Sequence, residues 1–117
     1  MSELETLTKA LLAFRDARDW KQFHSLRNLI VSLNLEAAEL LELTQWKDDG
    51  EVEAMIAESA AFSALSDECA DVLLYLLLVA DAAGVDLIAA ATEKLEKNAE
   101  KYPVEKSFGS SAKYTKL

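Results

Sequence analysis

The chain has 117 residues, of which 51% are hydrophobic and 28% charged, and its formal net charge at pH 7 is −9. That length suits one compact domain with a single core, and so acidic a surface repels nucleic-acid backbones and anionic membranes. Three glycines and one proline provide few breaks, which favours long helices and disfavours a β-sandwich.

The sequence contains no segment that predicts export or membrane insertion. The N-terminus lacks an apolar run behind a basic start. The longest apolar run, residues 72–80, is far shorter than the roughly 20 residues that cross a bilayer. Cys69 is the only cysteine, so no disulfide can form within the chain. We therefore expect a cytoplasmic protein without a nucleic-acid or membrane partner.

The first half of the chain predicts two long helices. The first opens at a capping-box pattern, from Ser2 to Glu5, and a bend follows it. The second is expected over about residues 25–47, ending near Gly50 in a left-handed conformation. Residues 51–59 are predicted to form a short helix or turn.

The second half predicts two further long helices. One covers about residues 60–83 and is closed by Gly84, and the next begins after Asp86, whose side chain can cap it. Pro103 stops that last helix, and residues 103–117 are predicted to be a tail or arm. The expected fold class is an all-α bundle of four to five helices.

Two of the predicted helices contain acidic pairs among apolar residues. With about 100° of rotation per residue, Glu36 lies between leucines on its helix. Glu68 and Asp71 lie beside valines, leucines and a tyrosine on the most apolar helix of the chain. A helix that is apolar all round is normally buried. Glu39 follows Glu36 by three residues, as Asp71 follows Glu68, so each pair lies on one helix face.

These carboxylates have few cations nearby, since Lys47 is the only basic residue between Asn28 and Glu93. A buried carboxylate normally pairs with a cation, takes up a proton or binds a metal. Two such faces packed together would form an all-oxygen ligand set that suits Mg²⁺ or Mn²⁺. The alternative is a solvated helix face, for which E-x-x-E is a common pattern. Glu42 fits that alternative better and is left out of the site.

Aromatic residues accompany the acidic pairs. Trp46 and Tyr75 follow the acids at helical spacing, so they are expected on the same helix faces. Flat side chains beside a metal can stack on a nucleobase, although each could instead fill the core. Trp20 and His24 lie at the predicted bend after the first helix, where loops often contain functional residues.

Several segments together resemble the MazG-like all-α nucleoside triphosphate pyrophosphohydrolases, in particular the dCTP pyrophosphatase-like branch. They are RDWKQFHSLRNL, EAAELLELTQW, DECADVLLYLL, KYPVEK and AKYTKL. The family pattern of E-x-x-E followed by E-x-x-D is matched by Glu36, Glu39, Glu68 and Asp71. The similarity extends over nearly the whole chain, which predicts a single MazG-like domain at residues 1–117.

The resemblance implies a subunit that forms a dimer or a dimer of dimers, with sites completed across subunits. It implies Mg²⁺-dependent cleavage of dCTP or a related pyrimidine dNTP to the monophosphate and pyrophosphate, with nucleotide-pool sanitation as the role. The four acids would hold the metal, and Glu36 or Glu39 would be the general base. The implied nucleotide-binding residues are Trp20, His24, Trp46 and Tyr75 for the base and sugar, and Asn98 and Lys101 for the triphosphate.

Three other functions were considered from the sequence: a di-iron carboxylate protein, a non-catalytic helical module and a P-loop NTPase. A di-iron carboxylate bundle needs two Glu-x-x-His motifs, whereas the only histidine here does not follow a glutamate by three residues. A non-catalytic helical module, binding a nucleotide or a partner protein, remains open. A P-loop NTPase is excluded because the sequence contains no G-x-x-x-x-G-K-[ST] motif.

Overall fold

The computed structural model describes all 117 residues and contains helices and turns without a strand, so the predicted all-α class is confirmed. The helices are α1 (Glu3–Ala17), α2 (Leu26–Glu42), α3 (Asp49–Met55), α4 (Ser59–Ala83), α5 (Leu87–Lys101) and α6 (Val104–Ser107), with short 3₁₀ helices at Lys21–Phe23 and Tyr114–Lys116. The chain divides into two compact units, Met1–Gly84 and Val85–Leu117. None of the helices is by itself long and apolar enough to cross a membrane.

Local chemistry fixes most helix ends where the sequence predicts them. The Ser2 hydroxyl accepts a hydrogen bond from the Glu5 amide at 3.1 Å, which caps α1. The Asp86 carboxylate accepts one from the Ala89 amide at 3.0 Å, which caps α5. Gly84 ends α4 with a φ of 72°, a left-handed conformation that glycine adopts without steric cost.

The end of α2 differs from the prediction. The helix stops at Glu42 rather than near residue 47, and Gly50 does not take the left-handed conformation. Gly50 lies instead in the first turn of α3, where the Asp48 side chain accepts a hydrogen bond from the Glu51 amide at 2.8 Å. Because this cap starts a new helix, the chain must turn earlier. Trp46 provides the left-handed residue, with a φ of 68°.

The first unit is built around α4. Helix α2 packs against α4 most extensively, and α1 and α3 also contact it. The buried apolar residues come from α2, α3 and the second half of α4; they are Leu29, Met55, Leu77, Leu78 and Ala80. This packing places the acidic segments of α2 and α4 next to each other.

The expectation that α2 is buried all round is wrong for the single chain. Leu29 is its only buried residue, whereas Val31, Leu35 and Leu41 are 49%, 60% and 66% exposed. Helix α4 covers one side of α2, and several of the remaining apolar residues of α2 stay exposed. The apolar composition of α2 therefore exceeds what one copy of the chain buries.

The second unit contains α5, α6 and the C-terminal 3₁₀ helix. The segment predicted as a tail is thus partly helical. The rings of Tyr102 and Tyr114 meet edge to face at 6.0 Å, and the Lys101 ammonium lies 5.1 Å from the centre of the Tyr114 ring. These contacts join the C-terminal residues to the end of α5.

Candidate metal centre and nucleotide cavity

Three of the predicted metal ligands converge where α2 meets α4. Carboxylate oxygens of Glu36, Glu39 and Glu68 all lie within 4.8 Å of one another. Mg²⁺ binds oxygen at about 2.0–2.1 Å, so ligand oxygens on opposite sides of the ion are roughly 4 Å apart. The cluster is therefore compact enough to hold a divalent cation after small side-chain movements.

The electrostatics of the cluster also fit a cation. Burial, and then the neighbouring carboxylates, raise the pKa of Glu36 to about 7. The same causes, burial first, raise the pKa of Glu68. The Oε2 atoms of both residues are buried and have no hydrogen-bond partner. Crowded acids without donors disfavour their charged forms, and a bound divalent cation reverses that preference.

Asp71 lies beside this cluster without being part of it. It follows Glu68 by one helical turn on α4, and its charge contributes to the raised pKa values of Glu36 and Glu68. Its carboxylate is not among the three that converge, but it lines a neighbouring cavity. A ligand set of four acids remains a prediction.

The cavity beside Asp71 has a volume of about 210 Å³ and is walled by α1, the bend after it and α4. Trp20, His24 and Tyr75 line it together, so three of the four residues predicted for the nucleobase and sugar lie in one place. Phe14 also lines it, and its ring meets the Trp20 ring edge to face at 5.7 Å. A space with such walls suits a flat ring that can stack on an aromatic face.

His24 presents an imidazole that is neutral at pH 7. Burial, and then the nearby charge of Arg15, lowers the pKa of His24 below its ordinary 6.5. The Nδ1 atom is buried and has no hydrogen-bond partner in the protein. A neutral imidazole has one donor and one acceptor nitrogen, so His24 can hydrogen-bond to a polar ligand in the cavity.

The other three predicted nucleotide-binding residues are not among those that line this cavity. Trp46 is 92% exposed and does not line the cavity, because α2 ends before it and the helical spacing from Glu39 is broken. Asn98 and Lys101 lie near the end of α5, in the second compact unit. Their contact with a triphosphate remains a prediction.

Arg15 was not predicted as a site residue, yet it is the only buried charged residue and it lines the cavity. Its Nε donates a hydrogen bond to Asp16 Oδ1 at 2.8 Å, which holds the pKa of Asp16 below its ordinary value. Its Nη1 lies 3.8 Å from Asp81 Oδ2. Arg15 follows Leu11 by four residues, so a charge on the apolar side of α1 was the sequence feature that could have indicated it.

The fold and the site define a class: an all-α protein with a carboxylate cluster that could hold a metal ion, beside an aromatic cavity. The family model described as "MazG-like family" matches residues 31–117. The chain is 42% identical over 114 residues to dCTP pyrophosphatase 1 from Rattus norvegicus, covering 97% of this chain and 67% of that protein. It is 41% identical to dCTP pyrophosphatase 1 from Homo sapiens, with the same coverage.

A solved structure agrees with these sequence matches. A pyrophosphatase from Archaeoglobus fulgidus is similar with a TM-score of 0.80 and 41% identity, covering 88% of this chain and 94% of that one. The chain belongs to the MazG-like family, as its sequence predicted. The relatives also support the predicted enzyme class, a hydrolase that acts on the acid anhydrides of nucleotides.

Proposed function

We propose that the protein is a Mg²⁺-dependent pyrophosphohydrolase that cleaves dCTP, or a related pyrimidine dNTP, to the monophosphate and pyrophosphate. The observation that carries the proposal is the convergence of Glu36, Glu39 and Glu68 within 4.8 Å, beside an aromatic cavity. The relatives named dCTP pyrophosphatase 1 support the choice of nucleotide. Removal of unwanted nucleotides from the precursor pool is the role we propose for this reaction.

Mg²⁺ is the cofactor we propose, with Mn²⁺ as the alternative, because the candidate ligands are all carboxylate oxygens. Once bound, the ion would neutralise charge on the triphosphate and lower the pKa of the attacking water. Helix α2 supplies Glu36 and Glu39 from adjacent turns, and α4 supplies Glu68 and Asp71. Each acid is thereby held on a rigid element, which fixes the phosphates for in-line attack.

The remaining residues position the substrate and take up the proton. Glu36 and Glu39 are the two candidates for the general base that accepts a proton from water. Trp20 and Tyr75 provide ring faces for the nucleobase, and His24 hydrogen-bonds to the base or sugar. Three further nucleotide contacts belong to the proposal; they are Trp46, Asn98 and Lys101.

We further propose that the protein self-associates as a homodimer or a dimer of dimers, and that the site is completed in that assembly. The large exposed apolar residues of α2 support self-association. The cytoplasm is the compartment we propose, since Cys69 is a free thiol.

Pyrophosphate release from a panel of dNTPs with Mg²⁺ tests the reaction. Glu39→Gln and Asp71→Asn should each keep the helical circular-dichroism spectrum. Glu39→Gln should lose at least about 10²-fold in turnover, the usual lower bound for an acid–base group, and Asp71→Asn about 10- to 100-fold, the usual cost of losing a group that supports a metal site. Glu42→Gln, an exposed acid of the same helix outside the site, is the matched control and should keep full activity. Full activity in both site variants would exclude this mechanism. Binding of dCTP without pyrophosphate release would indicate a non-catalytic module.

A further inference from the structure

Arg15 is a buried cation whose hydrogen-bonding capacity is largely unused. Its side chain is only 10% exposed, and its one hydrogen bond runs from Nε to Asp16. The Nη1 atom is 3.8 Å from Asp81, an ion pair too long for a hydrogen bond. A guanidinium has five N–H donors and no acceptor, so the donors on its terminal nitrogens remain free beside the cavity. A ligand with acceptors that enters the cavity can reach these donors.

The position of Arg15 relative to the acids determines which part of a nucleotide it would meet. Asp81, its partner on α4, follows Asp71 by ten residues, which is about 15 Å along a helix axis. The metal-ligand candidates lie at the Glu68 end of this stretch, and Tyr75 lines the cavity in between. A nucleotide with its phosphates at the acids therefore has its base directed towards Arg15.

We propose that Arg15 is the residue that recognises the base, by donating hydrogen bonds to N3 and O2 of a cytosine. This inference rests on the proposed function, which supplies a nucleotide with a pyrimidine base. Cytosine presents two adjacent acceptors to a forked donor, and Arg makes bidentate bonds to such pairs of acceptors. Thymine and uracil carry a hydrogen on N3, so they offer a donor where the guanidinium needs an acceptor. Arg15 thereby favours cytosine over thymine and uracil.

Asp16 and Asp81 act as positioning residues for this guanidinium. Asp16 binds Nε, and Asp81 is paired with Nη1 on the other side. Two fixed carboxylates restrict the rotation of the long side chain, so less entropy is lost when it binds a base. Both carboxylates are partly exposed, at 56% for Asp16 and 40% for Asp81, so water can solvate them when Arg15 is replaced. Substitution of Arg15 should therefore leave the fold intact.

The test compares kcat/KM for dCTP, dTTP and dUTP in wild type, Arg15→Met and Arg15→Lys. Arg15→Met should lower kcat/KM for dCTP about 10- to 100-fold, the usual discrimination from one bidentate pair, and change the other two by less than about twofold. Arg15→Lys keeps the charge but not the planar fork, so it should also lose most of the preference for dCTP. Lys9→Met, an exposed cation of the same helix, removes the same charge and should leave all three values unchanged.

The possible results distinguish whether Arg15 recognises cytosine. A preserved dCTP preference in Arg15→Met and Arg15→Lys overturns the role of Arg15, and so do equal losses for all three nucleotides, which would indicate a structural effect. A wild-type preference for dTTP or dUTP over dCTP overturns the assignment to cytosine while leaving the hydrolase in place. No pyrophosphate release from any nucleotide by wild type overturns the proposed function and this inference together. If Arg15→Met does not fold, the ratio measured for Arg15→Lys decides alone.

Discussion

Glu36 holds its proton more tightly than an ordinary glutamate, because burial and the neighbouring acids raise its pKa from 4.5 to about 7. When the protein unfolds without metal, this carboxyl returns to its ordinary pKa. Between these two pH values the folded state binds more protons than the unfolded state. The contribution of Glu36 to stability is therefore fully present below about pH 4.5 and is lost as the pH rises through about 7.

We accordingly predict that the metal-free protein melts at lower temperature as the pH is raised from about 5 to about 8. Glu36→Gln replaces the titrating carboxyl by a neutral amide of the same shape, so its melting temperature should depend less steeply on pH. Thermal melts followed by circular dichroism in a chelating buffer measure both slopes. Glu42→Gln should keep the wild-type slope, and equal slopes in all three proteins would contradict the prediction.

Magnesium and protons should compete for the same carboxylates. Ligand carboxylates must lose their protons to bind a metal, so affinity for Mg²⁺ should increase with pH through the raised pKa of Glu36. At one Mg²⁺ concentration, the rise in melting temperature should be larger at about pH 8 than at about pH 6. A rise that is the same at both pH values would show that the ion binds elsewhere.

At the scale of the helix ends, two glycines should respond to alanine in opposite directions. Gly84 has a φ of 72° and an added Cβ would meet nothing within 4 Å, so backbone strain alone should cost roughly 1–2 kcal/mol. Gly50 lies in the first turn of α3 without a positive φ, so alanine there should stabilise by about 0.5–1 kcal/mol. Denaturant unfolding of Gly84→Ala and Gly50→Ala measures both free energies. Changes of the same sign would contradict this account.

The same helix ends show what the sequence predicts and what it cannot. Gly84 and Asp86 act through their own backbone and nearest amides, so local sequence was enough to place α4 and α5. The end of α2 depends on a competition, because helical spacing continues past Glu42 while Asp48 caps a new helix a few residues later. Sequence spacing alone did not weigh those two effects, so it extended the helix past Glu42 as far as Trp46.

The candidate site also contains residues that the sequence predicts and residues that it does not. The acid cluster was predictable because Glu36, Glu39 and Glu68 lie at helical spacing in a region with almost no cations. The place of Arg15 at the cavity was not, because its side chain lies beside Asp81 of another helix, far along the chain. The spacing of residues along the chain predicts which face of a helix a residue lies on. The contacts of that face depend on how the helices pack.

For the molecule as a whole, the dominant feature is apolar surface on α2. Val31 and Leu35 are one turn apart on that helix and are 49% and 60% exposed. Full burial of such a side chain is worth about 1.5–3 kcal/mol, so covering the exposed half gains roughly 1 kcal/mol. A symmetric dimer buries the same residue in both subunits, so each leucine contributes twice. A few leucines are therefore enough to offset much of the entropy lost on association. The large exposed apolar residues of α2 thus favour pairing between copies of the chain.

We therefore predict that wild type sediments with at least twice the 12.9 kDa mass of one chain. Leu35→Glu places a charge in that apolar surface, where burial without a partner is unfavourable, so this variant should shift towards the monomer. Thr6→Glu adds the same charge on an exposed part of α1 and should sediment as wild type. If the site is completed across subunits, the turnover of Leu35→Glu should fall as the protein is diluted and less of it is assembled.

A monomeric wild type with full turnover would mean instead that one chain contains the whole site. Trp46 and the α5 residues would then act within their own subunit or not at all.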